Sequence, residues 1–281
     1  MDLTEVKIVA DSSADVLEIE NKEIAYGVAP LKMISAKAEY VDDGALDVEK
    51  MIDELDENDG KVTSSCPSEG DWLEMFEDKK YVFCLTITSN LSGSYNAACL
   101  AKREYEEKYP DRKVYVIDTL STGPETKLII EKLQEWIVAG EEFEEICKKV
   151  AEYQKKTHLT FMLQSLKNLK NNGRVSGLTA KIAGILGIRI VGVASDVGTL
   201  EPLAKTRGDH GTLNKILEIM KERGYVGGKV RIGHCRNESL AKTFKELLLS
   251  IYQKANVEIY KLRGLCSFYA EKGGLLVGFE G

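Results

Sequence analysis

The chain has 281 residues, 43% of them hydrophobic and 30% charged, with a formal net charge of −7. This is the composition of an ordinary globular protein with apolar residues enough for a sizeable core, and the length predicts about two domains. The acidic balance excludes the generally basic surface of a nucleic-acid-binding protein, and no run approaches the ~18 unbroken apolar residues of a membrane span.

The opening Met1-Asp2-Leu3-Thr4-Glu5 is acidic and has neither the basic nor the apolar region of a secretion signal, so a cytoplasmic protein is expected. Six widely spaced cysteines without a C-x-x-C pair read as reduced thiols packed as small hydrophobes.

Residues 6–10 form an apolar strand that stops at Asp11-Ser12-Ser13. Capping or turn-making is the usual work of such an Asp, with metal binding or a catalytic carboxylate as alternatives. Residues 24–34 are apolar but contain Pro30, which predicts an edge strand or extended segment; 40–44 read as a turn and 47–55 as a short helix. Next comes a hydroxyl cluster, Thr63-Ser64-Ser65-Cys66-Pro67-Ser68. Pro67 suits the start of a helix with Trp72, Leu73, Met75 and Phe76 on its apolar face, and Ser65 or Cys66 would lie near its cap.

Residues 81–87 are β-branched and aromatic, as in a strand buried on both faces. They empty into Thr88-Ser89-Asn90-Leu91-Ser92-Gly93-Ser94, and an amphipathic helix over 96–109 follows. Capping explains one Ser, whereas four hydroxyls and a Gly in seven residues favour a site. A further strand over 113–118 again ends at an acid followed by hydroxyls. Parallel strands presenting one polar rim would produce this pattern, and ligands of open parallel sheets bind at such rims. Helices are predicted over 127–139 and 143–157.

A boundary near 155–160 divides the chain into 1–157 and 158–281. The second part opens with a strand over 158–163 and a basic turn, Lys170-Asn171-Asn172-Gly173-Arg174. An apolar helix over 178–186 is followed by strands 188–194 and 200–205, joined by a hairpin turn. Helix 211–223, strand 229–234, helix 239–254, strand 257–262 and strand 275–279 complete the chain. The fold class is α/β, with two α/β domains and a mainly parallel sheet in the first.

No phosphate loop, dinucleotide fingerprint, zinc-protease motif or nucleophile elbow is present. The three His (His158, His210, His234) lack partners at metal-ligand spacing. Hydroxyl clusters with isolated arginines suit binding a carboxyl or phosphate group better than cleaving one. The alternative is a transferase-like enzyme acting on a small carboxylated or phosphorylated substrate through Asp11, Asp118 and the hydroxyls; an interaction protein is a third class.

Asp11-Ser12-Ser13, Pro30-Leu31, Tyr40 with Asp42-Asp43-Gly44, the 63–68 cluster, Ser92-Gly93-Ser94-Tyr95, Gly173-Arg174-Val175 and Thr206-Arg207-Gly208 stand in the order of the DegV family motifs. The chain resembles that family almost end to end. The resemblance implies a non-enzymatic carrier without a cofactor, holding one long-chain fatty acid in a tunnel between two α/β domains. It also implies a partner, a separate fatty acid kinase subunit that makes the acyl phosphate, and is compatible with transient membrane contact. The family's Thr-Ser-Gln-Pro-Ser pattern falls on residues 64–68, and its Leu-Ser-Gly-Thr-Tyr on 91–95. The expected carboxyl-binding residues are therefore Ser64, Ser65, Ser92, Gly93, Arg207 and Tyr269, with Phe161, Ile182, Ile185 and Leu186 along the acyl chain. Arg174, in its polar turn, is expected to face water and dock the partner. Where the family typically has His-Thr-Gly-Pro-Gly, this chain has Tyr269-Ala270-Glu271-Lys272-Gly273. A Tyr donates a hydrogen bond but stays neutral near neutral pH, which bears on delivery to a kinase more than on binding.

Overall fold

A computed structural model of the chain describes residues 1–58, 60–175 and 187–281. The strands up to the middle of the chain are β1 (Val6–Asp11), β2 (Ala25–Ala29), β3 (Lys32–Ile34), β4 (Glu39–Val41), β5 (Thr63–Ser65), β6 (Tyr81–Thr86) and β7 (Lys113–Asp118). Among them run the helices α1 (Val48–Asp56), α2 (Glu69–Phe76) and α3 (Ser94–Lys108), followed by α4 (Gly123–Val138) and α5 (Phe143–Tyr153).

β2, β1, β6 and β7 form an all-parallel sheet in that order. Alternate residues of its strands feed two cores. Ile8, Phe83, Leu85 and Ile117 pack on α4 and α5 through Ile129, Leu133, Ile146 and Val150. Val9, Val82, Cys84 and Val114 pack on α2 and α3 through Trp72, Phe76, Ala98 and Tyr105. Burial on both faces is why these strands read as continuous apolar runs rather than alternating ones.

The later strands are β8 (Thr157–Leu163), β9 (Ile188–Ala194), β10 (Leu200–Arg207), β11 (Lys229–His234), β12 (Asn256–Lys261) and β13 (Leu275–Glu280). They form a six-stranded sheet of order β10-β9-β8-β13-β11-β12, antiparallel except for the β11–β12 pair. The helices of this part are α6 (Lys167–Asn171), α7 (Asp209–Glu222), α8 (Glu238–Ile251) and α9 (Gly264–Ala270). One sheet face packs on α7 and α8 through Met162, Val191, Ile216, Phe244 and Val277. The opposite face joins Leu159, Phe161, Leu163 and Leu276 to Leu31, Met33 and Ile87 of the earlier part in one cluster. α4 lies directly against β13, since a Cβ on Gly278 would stand 2.5 Å from the Pro124–Glu125 backbone.

Several local expectations are corrected. Glu39–Val41 is a strand, and so is Thr63–Ser65; both pair antiparallel with β3, the middle strand of a small sheet. Tertiary pairing thus overrides the turn-like composition of these short segments. α2 is capped by Ser68, not by Ser65 or Cys66: Asp71 N–H donates to Ser68 Oγ and Ser68 N–H to Asp71, a capping box. α9 was not anticipated, because seven residues are too few for a helical period to show. The helix predicted over 178–186 lies outside the described residues. No helix among the described residues is long and apolar enough to cross a membrane.

Candidate functional site

In the parallel sheet the chain runs from β1 outward to β2, and later adds β6 and β7 on the other side. A crevice forms where strand order reverses, here at the carboxyl ends of β1 and β6. Asp11 organises this rim. Its Oδ1 accepts from the Ser13 N–H (3.2 Å) and hydroxyl (2.5 Å), and its Oδ2 from the Ile87 N–H (2.9 Å) and the Ser94 hydroxyl (2.6 Å). Burial raises the Asp11 carboxyl above the ordinary carboxylate range, against the opposing pull of the hydrogen bonds from Ser13, Ser94 and Ile87. Ser12 Oγ accepts from the Leu31 N–H at 3.0 Å, and Asp118 Oδ1 from the Ser89 and Leu120 N–H groups. Asp11, Ser12, Ser13, Ser94 and Asp118 therefore hold the rim loops together.

Above the rim lies a cavity of about 310 Å³. Its walls include Leu31 and Ile87 from the first part and Leu159, Phe161, Leu163 and Leu276 from the second. Thr122 and Cys266 also line it, but the Thr122 hydroxyl and the Cys266 thiol are turned to the Ser13 carbonyl. The remaining polar lining is Ser64, Ser65, Cys66, Ser92, Gly93, Arg174 and Tyr269. The two hydroxyl clusters meet here: a Cβ on Gly93 would touch Cys66 Sγ at 3.3 Å. Ser64 and Tyr269 share a hydrogen bond of 2.6 Å. A second, polar cavity lined by Ser89, Asn90, Asn96, Gly173 and Thr199 shares Ser92, Gly93 and Arg174 with the first.

Local structure explains how these side chains arrive. Ser64 sits opposite Met33 across the β3–β5 ladder. Tyr269 rides on α9, whose first N–H groups are capped from a distant loop: Gly264 N–H donates to Asp42 Oδ1 (3.0 Å) and Leu265 N–H to Asp42 Oδ2 (2.8 Å). Asp15 Oδ1 accepts the neighbouring Arg263 N–H at 2.8 Å. Two carboxylates of the early chain thus aim Tyr269 at Ser64. Burial raises the Tyr269 hydroxyl above its usual range, with the Ser64 hydrogen bond and the Arg174 charge opposing, and the phenol stays neutral.

The exposure of the two arginines is the reverse of that expected. α6 ends in a Schellman turn: Gly173, at φ +70°, donates to the Lys170 carbonyl, and Arg174 N–H donates to the Leu169 carbonyl. The chain doubles back, and Arg174, expected in water, is half-buried against the cavity with its Nε donating to the Leu91 carbonyl at 3.0 Å. Arg207, expected at the carboxyl group, is exposed and absent from the cavity lining. β10 alternates half-buried and exposed residues, and Arg207 has the exposed parity; it also stands seven residues beyond Leu200, the cavity-lining end of the strand, about 23 Å away.

Ser64, Ser65, Ser92, Gly93, Tyr269 and Phe161 come together at the cavity, while Ile182, Ile185 and Leu186 lie outside the described residues. Leu159 and Leu163 were missed, although their period-two spacing with Phe161 marks one strand face. Cys66 and Asp42 stand among the motifs quoted from the sequence but were given no role at the site.

The family model described as "Uncharacterised protein, DegV family" matches residues 5–280. A DegV domain-containing protein of Streptococcus pneumoniae is 41% identical over 276 residues, covering 98% of this chain and 98% of the relative. Among solved structures, a DegV family protein from Eubacterium eligens loaded with heptadecanoic acid is 42% identical with a TM-score of 0.94, over 98% of this chain and 99% of that chain. The Streptococcus pneumoniae Fatty Acid Kinase (Fak) B3 protein loaded with linoleic acid is 40% identical with a TM-score of 0.95, at the same coverage. With nearly its full length matched by family model, curated relative and solved folds alike, this chain belongs to the DegV family.

Proposed function

We propose that this chain binds one long-chain fatty acid in a tunnel between domains 1–157 and 158–281 and presents its carboxyl group to a fatty acid kinase. The observation that carries this reading is the apolar cavity of about 310 Å³ whose polar lining gathers the Ser64–Tyr269 pair, Ser92 and Arg174. The fatty acids held by the Eubacterium eligens and Streptococcus pneumoniae relatives support it, and the second relative's name supports a kinase partner.

In this reading the acyl chain supplies the affinity. Each buried methylene contributes about 0.8 kcal/mol, so about fourteen of them offer roughly 10 kcal/mol before ordering costs. The head group adds little net, since its hydrogen bonds replace those with water, and its role is orientation. The Ser64–Tyr269 pair, Ser65, Ser92, Gly93 and Arg174 together surround the carboxyl group. The adjoining polar cavity gives the kinase its approach to the carboxylate. The chain itself acts as a carrier and needs no cofactor.

Native mass spectrometry of the purified protein, followed by organic extraction, tests binding. One equivalent of a long-chain acid is expected; a small polar ligand in its place would favour the transferase-like alternative. Presentation is tested by adding the kinase and ATP to loaded protein and trapping the acyl phosphate with hydroxylamine. Absence of hydroxamate from loaded protein with an active cognate kinase would overturn that half of the reading.

A further inference from the structure

β8 places Leu159, Phe161 and Leu163 on the sheet face that forms one wall of the cavity. Across the strands, Phe161 is flanked by Leu276 on β13 and by Gly192 on β9. Gly192 has no side chain to offer, and the space that one would fill is taken. A Cβ at Gly192 would lie 2.5 Å from Phe161 Cζ and 2.9 Å from Cε2. The Phe161 ring is therefore laid sideways over the neighbouring strand, whereas sheet side chains ordinarily stand perpendicular to it. The same Cβ would meet the Glu201 carbonyl oxygen at 2.4 Å, so β10 closes the position from behind and the glycine is required twice.

Phe161 differs in kind from the leucines around it. It is almost fully buried at 2% exposure, and its ring is a rigid plane larger than the branched leucine side chains beside it, so it presents a flat wall of fixed shape to a guest. The other aromatic residue lining the cavity among the described residues, Tyr269, belongs to the polar cluster. We infer that Phe161, held flat by Gly192, is the specificity-determining wall of the cavity and sets the length and bend of the acyl chain it accepts. The inference rests on the fatty-acid reading above. Laid down, the ring occupies the space over β9 that an acyl chain would otherwise take; trimming it opens the space over Gly192, as large-to-small changes in apolar sites do.

The test compares wild type, Phe161→Leu and Phe161→Ala, each delipidated, folded by circular dichroism and offered an equimolar mixture of saturated and cis-unsaturated acids of graded length. Bound acids are extracted and quantified by mass spectrometry. Phe161→Ala is expected to raise the ratio of longer to shorter acids about tenfold, with Phe161→Leu between it and wild type. Phe161→Leu alone carries the test if the Ala variant does not fold. Wild type and Phe161→Leu loading the same mixture in the same proportions would overturn the inference while leaving fatty-acid binding intact. Wild type that takes up no acid at all would overturn both.

Discussion

The hydroxyl oxygens of Ser64 and Tyr269, separated by 205 positions in the chain, lie 2.6 Å apart at the lining of the cavity. One hydroxyl donates to the other, so the pair keeps one proton to offer an anion, and a chain of two hydroxyls polarises the outer one. The contact exists because β5 holds Ser64 on the β3 ladder while Asp42 caps α9 and so carries Tyr269 toward it.

Tyr269→Phe should lower fatty-acid affinity by about three- to tenfold without loss of fold, the value of one neutral hydrogen bond. Ser64→Ala should cost less on the Phe background than on wild type, because the two hydroxyls act as a unit. Calorimetric titration of the four proteins of this cycle measures the coupling, and strict additivity would show that the hydroxyls act separately.

Arg174→Ala should weaken binding of a fatty acid about tenfold or more while leaving binding of the corresponding alcohol nearly unchanged, since only the acid carries a charge to pair. Arg207→Ala, on the exposed side of β10, should behave as wild type toward both ligands. Displacement of a fluorescent fatty acid reads all four combinations. Equal losses for acid and alcohol would mean that Arg174 supports the wall rather than the head group.

Asp11→Ala should destabilise the fold by about 3 kcal/mol, because it orphans buried donors on Ser13, Ser94 and Ile87. Urea unfolding should show the midpoint falling with the slope unchanged. A loss under about 0.5 kcal/mol would mean that water replaces the carboxylate, and the rim would then owe little to Asp11.

Asp15 is pushed by burial from 3.8 up to about 8, and burial likewise pushes Glu125 from 4.5 up to about 7. A folded-state pKa above the unfolded one means that the native protein binds more protons between the two values, so stability falls as pH rises through that window. The Asp15 contribution is fully present below pH 3.8 and lost as pH passes about 8. Asp15→Asn keeps an acceptor for the Arg263 N–H and removes the titration. Its melting temperature relative to wild type should therefore climb between pH 4 and pH 8; a constant difference would show that Asp15 titrates normally.

The longer strands, the parallel arrangement of the first sheet and the polar rim were legible in the sequence because their causes are local. Burial on both faces makes an apolar run, and the end of a strand needs residues that satisfy a turn, hence Asp11-Ser12-Ser13 and residues 88–94. The hydroxyl clusters around Ser64 and Ser92 stood out on the same footing, whereas the choice of Ser64, Ser92 and Phe161 as ligand contacts came from the DegV resemblance.

Which hydroxyl serves the cavity and which serves the fold was decided only in three dimensions. Ser92 and Ser94 are two residues apart with the same chemistry, yet Ser94 is spent on Asp11, 83 positions away, while Ser92 lines the cavity. Arg174 and Arg207 look alike in sequence, each beside a glycine; a Schellman turn brings the first inward, and strand parity sends the second out. The β3–β5 pairing, the capping of α9 by Asp42 and the ring of Phe161 over Gly192 join residues between 29 and 223 positions apart. No periodicity within one segment encodes such contacts, because their energy comes from a partner that the chain meets only once it has folded.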